Sequence, residues 1–427
     1  MRTRTAFIAA LAPLAVMATP AAAQAFKVLH VFCETQGCPD GFAPGALAAD
    51  GAGNFYGATR GGGSHGGGTL FELRRRANGR YKFETLYGFC AEQNCLDGQL
   101  PGGAPVIDKA GNLYGTALAG GESGYNGVVY EWKRSTGKLK VLYNFCPSGG
   151  DCSDGAEPMA GLTYAAAATG ALYDGKSPLY GVAPFGGVGF QGVVFQLAPG
   201  KSGWDFQVLY SFCNGDDCAG GAVPSGPLLP DASGSLYGMT VQGGSNHKGA
   251  VFELSTSGGN WNETVLYSFC QQADCADGDQ PNGSLALDAS GNLFGTASSG
   301  GSGCSQKNIH CGVAFRLAPD GQQTVLHSFC AQAKCADGGM PMDGIFVAAN
   351  GDLAGTAEYG GYASSGGVVW RLSGGQFRTL HKFCKAGDCG KGQNPAAALV
   401  ADASGHLIGT TLYGGPNLGG IIYEITP

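Results

Sequence analysis

Short stretches rich in β-branched and aromatic residues recur along the chain, separated by glycine-rich turns and without helical periodicity, a pattern that predicts strands throughout. Four such stretches make one unit, and the unit repeats seven times. The first stretch follows Gly-x-x-Pro, as at Gly98/Pro101 and Gly278/Pro281, and ends in an Asp-x-x-Gly turn, as at Asp288/Gly291. Glycine admits a positive φ and proline fixes its own, so the opening motif reads as a rigid turn feeding a strand. The closing motif has the chemistry of an Asx turn joining two antiparallel strands. The second strand is Leu-Tyr-Gly-Thr in its fullest form, at residues 113–116, and its glycine recurs at Gly57, Gly115, Gly181, Gly238, Gly295, Gly355 and Gly409. Glycine inside a strand predicts a bulge or a close backbone approach, as expected of a crowded inner strand near an axis. A Gly-Gly pair and a variable loop follow, then a Gly-Val-Val-Phe-like third strand, then a fourth ending in Phe-Cys.

Repeats of this length build solenoids or propellers, and the ends of the chain decide between them. The last unit stops four residues after Tyr423, short of a fourth strand, while residues 26–33 read as an orphan fourth strand ahead of the first unit. Pairing the two closes a ring and removes both sheet edges, whereas an open solenoid needs capping units. The expected fold is all-β: a seven-bladed β-propeller with four antiparallel strands per blade, closed by the N-terminal strand completing the last blade. One domain, residues 26–427, would hold the units 34–90, 91–146, 147–213, 214–270, 271–330, 331–384 and 385–427 plus 26–33.

The fourth strands end at Cys33, Cys90, Cys146, Cys213, Cys270, Cys330 and Cys384, spaced by 57, 56, 67, 57, 60 and 54 residues. Each is followed by a second cysteine, at Cys38, Cys95, Cys152, Cys218, Cys275, Cys335 and Cys389, and Cys304 with Cys311 makes an eighth pair. Short-range pairing of all 16 cysteines argues for disulfides. The rival, zinc, would need pairs from two units to converge, and a ring holds them a blade apart. Residues 1–25 carry Arg2 and Arg4, an apolar run over 6–17 and small residues before Phe26, which reads as a secretory signal peptide too short to span a bilayer. Removing its two arginines leaves 23 basic and 32 acidic residues, net −9, so nucleic acid is not an expected partner. No other stretch has the length of a membrane span. The mature protein is expected to be secreted, extracellular or periplasmic, and monomeric.

The combination of Leu-Tyr-Gly-Thr, Gly-Gly, Gly-Val-Val-Phe, Leu-His-Ser-Phe and Asp-Gly-x-x-Pro resembles the GloVer tandem-repeat proteins, exported bacterial repeat proteins with varied anchors. The resemblance covers essentially everything after the signal. This chain is expected to depart from it in having no C-terminal anchor, and it carries paired cysteines in every unit. The resemblance implies export and a repeat architecture, and it brings no catalytic residue.

What repeats in every unit serves the blade, so a specific site is expected where the units differ. Alternating strand direction puts the loop between strands two and three on the same face as the disulfide-bearing crossing between blades. There the units diverge: His65, Tyr125 and Asn126, Phe190 and Gln191, His247, Lys307 and His310 inside the Cys304–Cys311 loop, Tyr362, and Asn417. Aromatics and amides on a rigid ring suit recognition of a glycan or a protein, although neutral drift of exposed loops gives the same divergence. His30, His327 and His381 take the place of Tyr87, Tyr143, Tyr210 and Tyr267 and read as strand side chains. Asp40, Asp97, Asp154, Asp277 and Asp337 follow the second cysteines as either turn-capping residues or a ring of carboxylates for a cation, with Gly220 and Lys391 as the exceptions. An insertion over residues 164–178 reads as an ornamental hairpin on the opposite face. No metal motif or nucleophile elbow appears, and no cofactor is expected. The first reading is a non-catalytic binding module; the alternative is a hydrolase or lactonase-like enzyme with a metal in the central channel.

Overall fold

The strand Phe26–Val31 pairs antiparallel with Ile421–Ile425, Phe26 opposite Ile425 and Val31 opposite Ile421, so the first strand of the chain is the outer strand of its last blade. The computed structural model describes residues 25–147, 150–215, 217–303, 311–362 and 365–426 and shows a seven-bladed β-propeller of four antiparallel strands per blade. Closure is packed as well as hydrogen-bonded. Phe26 stacks on His381 at 3.8 Å between ring centroids, and the fully buried Phe32 lies in one cluster with Phe71 and Ile422.

The glycine motifs converge on one clasp per blade. In all seven, the carbonyl of the second cysteine accepts hydrogen bonds from the glycine of Gly-x-x-Pro and from the second glycine of Gly-Gly. At Cys38 these come from Gly41 and Gly63, both at 2.9 Å, and at Cys389 from Gly392 at 3.1 Å and Gly415 at 3.2 Å. The donors sit at positive φ, where glycine is unstrained. The clasp places the disulfide crossing, the loop between strands two and three and the start of the first strand on one face, called here the disulfide face.

Seven disulfides join the repeated pairs, from Cys33–Cys38 to Cys384–Cys389. Thirteen of these fourteen cysteines, all but Cys389, have positive φ. Left-handed backbone costs a non-glycine residue roughly 1–2 kcal/mol, and closing so short a loop contributes on the order of 2 kcal/mol. The two effects are of similar size, so the bond fixes the shape of the crossing more than it adds net stability. Cys304 lies outside the described residues. The residue before each proline is left-handed too, Leu100 and Val223 among them, and its N–H reaches the preceding blade: Leu100 donates to the Gly67 carbonyl and Val223 to that of Gln191, each at 2.8 Å.

Crowding at the axis falls on the first strands. A Cβ on Gly103 would lie 2.1 Å from the Gly161 nitrogen, and one on Gly226 would lie 1.9 Å from the Gly283 oxygen, so neighbouring blades touch there through backbone. The second-strand glycine has a different cause from the one its sequence suggests. An aromatic ring of the third strand lies across it, putting Phe71 2.5 Å from a Cβ on Gly57 and the Tyr130 hydroxyl 2.4 Å from one on Gly115. The threonine after it ties blades together: Thr116 donates to the Ala160 carbonyl and Thr296 to that of Asp343 at 2.8 Å, and Thr410 to that of Gly45 at 2.9 Å.

Outer strands meet in a second repeated device. Tyr87, Tyr143 and Tyr267 donate to Asp97, Asp154 and Asp277 at 2.7 Å, and His30 and His327 bond Asp40 and Asp337 at 2.9 and 3.1 Å. The same carboxylates accept backbone N–H groups at or just beyond the first cysteine, as Asp40 does from Cys33 and Asp97 from Ala91 and Glu92. These aspartates cap turns at the seams between blades. In four seams a phenylalanine of the next blade stacks on the strand aromatic: Phe83 on His30, Phe206 on Tyr143, Phe377 on His327 and Phe26 on His381, at 3.6–3.8 Å.

The fourth unit exchanges both parts. Gly220 replaces the aspartate, Glu263 replaces the stacking phenylalanine, and the Tyr210 hydroxyl donates to Glu263 Oε2 at 3.5 Å. Burial pushes the Glu263 carboxyl up to about 7, and its Oε1 is buried without a partner among the described residues. A carboxyl raised above its ordinary 4.5 binds its proton more tightly in the folded chain. Its stabilising contribution is complete below that ordinary value and is lost as pH rises toward 7. Glu263→Gln should therefore melt higher than wild type at pH 8 and match it near pH 4, as read by thermal denaturation across pH.

The insertion over 164–178 is structural and not an ornament. Tyr173 is fully buried, its N–H donates to the Ile107 carbonyl of the preceding blade at 3.0 Å, and its ring packs on Tyr114 at 5.2 Å.

Candidate functional site

At the loop tips of the disulfide face three bulky residues, Phe190, His247 and Leu418, stand at φ of 57–58°, where the first blade has Gly66. Left-handed backbone is unfavourable for such side chains, and strain of this kind concentrates at functional positions. Phe190 and His247 both belong to the divergent set, and His65, Tyr125 and Tyr362 join them as exposed residues. Tyr125 is 79% exposed and Tyr362 57%. Gln191 and Asn126 are half-buried, and their carbonyls accept the left-handed N–H of the next blade at 2.8 and 2.9 Å. The Asn417 side chain donates to the Cys33 carbonyl at 2.7 Å, so it braces the closing seam. Lys307 and His310 lie outside the described residues.

Large apolar side chains exposed to solvent gather on this face. Tyr125, Val188, Phe190, Tyr362 and Leu418 stand on its loops, Leu96 beside a disulfide, and Phe42, Leu100, Phe185 and Tyr413 at the inner ends of the first and second strands, around the channel mouth. Among the described residues only Met159, in the irregular segment after Pro158, and Leu287, at the opposite end, fall elsewhere. Scattered exposed apolar residues need no explanation, whereas a one-sided concentration marks an interaction surface. The inner group escapes a reading of the loops, because these residues sit in motif-flanking positions.

Inside the mouth the ring loses its symmetry through three charges. Asp343 occupies a first-strand position that is Gly45, Gly103, Ala160, Gly226, Gly283 or Ala397 in the other blades. One step toward the face, Arg60 and Glu358 hold a second-strand position occupied elsewhere by Leu118, Pro184, Val241, Ser298 and Leu412. Asn394 donates to the Glu358 carbonyl at 3.2 Å and reaches its Oε1 at 3.5 Å. Burial raises both carboxyls, Asp343 to about 7, against the opposing pull of the Arg60 guanidinium. Aligning the seven first strands would have singled out Asp343; the loop comparison passes over it. Among the described residues no three His, Cys, Asp or Glu side chains gather as a metal site.

The pattern of the Gloeobacter/Verrucomicrobia repeat matches residues 15–174 and 303–427. No curated protein matches the chain. Similar solved structures include an ancestral GH74 enzyme, 11% identical with a TM-score of 0.55, over 90% of this chain and 48% of the other. Others are PorZ, a surface component of the type-IX secretion system of Porphyromonas gingivalis, 14% identical with a TM-score of 0.48 over 90% and 46%, and TolB from Acinetobacter baumannii, 13% identical with a TM-score of 0.44 over 78% and 64%. The chain thus spans between about half and two thirds of these solved chains. At such identities the likeness concerns the fold alone.

Proposed function

The chain belongs to the Gloeobacter/Verrucomicrobia repeat family, and from that premise we propose an exported, disulfide-stapled propeller that binds a glycan or protein through its disulfide face. Residues 1–25 are the signal removed on export, and residues 26–427 act as one domain. The seven disulfides fit an oxidising compartment, and no described helix is long and apolar enough to cross a membrane. The observation that carries the reading is the one-sided gathering of exposed aromatic and aliphatic side chains, two of which, Phe190 and Leu418, stand on loop tips held in an unfavourable backbone conformation. Rigid aromatic anchors are the residues that dominate binding energy at recognition surfaces.

A hydrolase reading has the Asp343–Glu358 pair behind it, since a carboxyl titrating near neutrality suits proton transfer. One experiment separates the two. Purified mature protein is applied to a glycan array while the same sample is assayed for bound metal and for ester and lactone turnover. Saturable glycan binding without turnover supports the binding module, and turnover with stoichiometric metal overturns it.

A further inference from the structure

We propose that the end of the ring opposite the disulfide face carries, on its first two blades, a docking surface for the anionic phosphate headgroups of a lipid bilayer. The inference uses a different face from the glycan or protein reading above and does not depend on it.

Positive charge is segregated along the chain and then gathered by the fold. Ten of the 23 basic residues of 26–427 fall between Arg74 and Lys140. Nine of them stand in the hairpins that join strands three and four of the first and second blades, and Lys109 stands in the turn after the second blade's first strand. Arg134 draws these segments together. It donates to the Tyr56 hydroxyl at 2.8 Å and pairs with Glu72 at 3.2 Å, both in the first blade, and it reaches the Gly111 carbonyl in the turn at 3.4 Å. The matching hairpins of the third to sixth blades read Pro-Gly-Lys-Ser-Gly at 199–203, Ser-Gly-Gly-Asn at 257–260, Ala-Pro-Asp-Gly-Gln at 318–322 and Ser-Gly-Gly-Gln at 373–376, so the blade itself does not require the charge.

The surface is also short of counter-charge. Arg74, Lys82, Lys133 and Arg134 have ion pairs with Glu72, Glu84 and Glu131. Arg75, Arg76, Arg80, Lys109, Lys138 and Lys140 are exposed and have none among the described residues. Across the two hairpins Arg74 stands opposite Lys82 and Lys133 opposite Lys138, a placement of like charges that works against folding and is relieved by a partner of opposite sign. Six cations spread over two hairpin tips and a turn match a plane that repeats its charge, not one small anion in a cleft. Guanidinium forks suit phosphate oxygens. None of the large exposed apolar side chains among the described residues lies on this patch, so contact stays at the headgroups, and no aromatic platform awaits single-stranded nucleic acid. Outside the segment from Arg74 to Lys140, residues 26–427 carry 13 basic and 26 acidic side chains. That imbalance turns the molecule patch-first toward an anionic plane and leaves the disulfide face outward.

The test is flotation of the full mature protein with vesicles of phosphatidylcholine alone and of phosphatidylcholine with phosphatidylglycerol at about two to one. At about 50 mM salt the anionic vesicles should bind at least about tenfold more tightly than the neutral ones, and about 500 mM salt should release the protein. Arg75→Gln, Arg76→Gln, Arg80→Gln, Lys138→Gln and Lys140→Gln combined should weaken binding to the anionic vesicles by at least about a hundredfold with the melting temperature unchanged. Arg80→Glu, a single exposed change on the first hairpin, should weaken it about tenfold and decides the matter where the combined variant fails to fold. Equal binding of wild type to the two vesicles overturns the proposal, as does undiminished binding by a folded variant. Tighter binding of wild type to polygalacturonate or to duplex DNA than to the anionic vesicles, at matched charge, overturns the bilayer as the partner.

Discussion

Protein lacking residues 26–33 should not reach the native ring, and its thermal transition should be lost or broadened beyond a cooperative unfolding. Those eight residues supply the outer strand of the seventh blade, the stack of Phe26 on His381, the buried Phe32 and one disulfide. Truncating a buried phenylalanine alone removes about 3–5 kcal/mol, against a total stability of roughly 5–15 kcal/mol for a domain. Deletion also leaves Ile421–Ile425 as an open apolar edge, which templates association between chains. Size-exclusion chromatography and a circular-dichroism melt read both consequences. A monomer melting within a few degrees of the full chain would contradict closure.

Gly226→Ala should be nearly as damaging through a single methyl group. At Gly226 the new Cβ would sit 1.9 Å from the Gly283 oxygen, on a backbone whose neighbours cannot move without shifting the next blade. Gly234→Ala is the matched control: its φ is also positive, at 92° against 72°, yet nothing lies within 4 Å of the added carbon. Both variants carry the left-handed strain of about 1 kcal/mol, so their difference isolates the overlap. We expect Gly226→Ala to lose more than about 4 kcal/mol, the range reached only by severe core defects, and Gly234→Ala to stay within a few degrees of wild type. Equal melting of the two would show that the first strands have room at the axis.

Closure and blade count are legible in the chain because each rests on local chemistry repeated seven times. The disulfide face is legible for the same reason, since alternating strands leave no other arrangement of loops and crossings. Contacts between units are not. Nothing local assigns the second-strand glycine to the ring of Phe71 or Tyr130, and a clash at the axis is an equally good cause for a missing side chain. The burial of Tyr173 against the preceding blade depends on where a long connection returns, which composition does not fix. The exchange of Gly220 and Glu263 spans two blades, so each looks like an isolated deviation until the seam is seen. Of the divergent loop residues, Asn417 is a brace, whereas Phe190 and His247 owe their prominence to a backbone angle that no sequence pattern announces. Asp343 was visible as a symmetry violation, but only in a strand whose other six copies are small and apolar.

Recognition through the disulfide face is tested most directly by two triple variants measured against the best-scoring array glycan. One carries Tyr125→Ala, Phe190→Ala and Tyr362→Ala on that face; the other carries Lys109→Ala, Lys201→Ala and Leu287→Ala at the opposite end. Loss of aromatic anchors should weaken binding by at least about a hundredfold with the melting temperature unchanged, and the second variant should bind like wild type. Undiminished binding by the first variant, with loss in the second, would place the recognition surface at the other end of the ring.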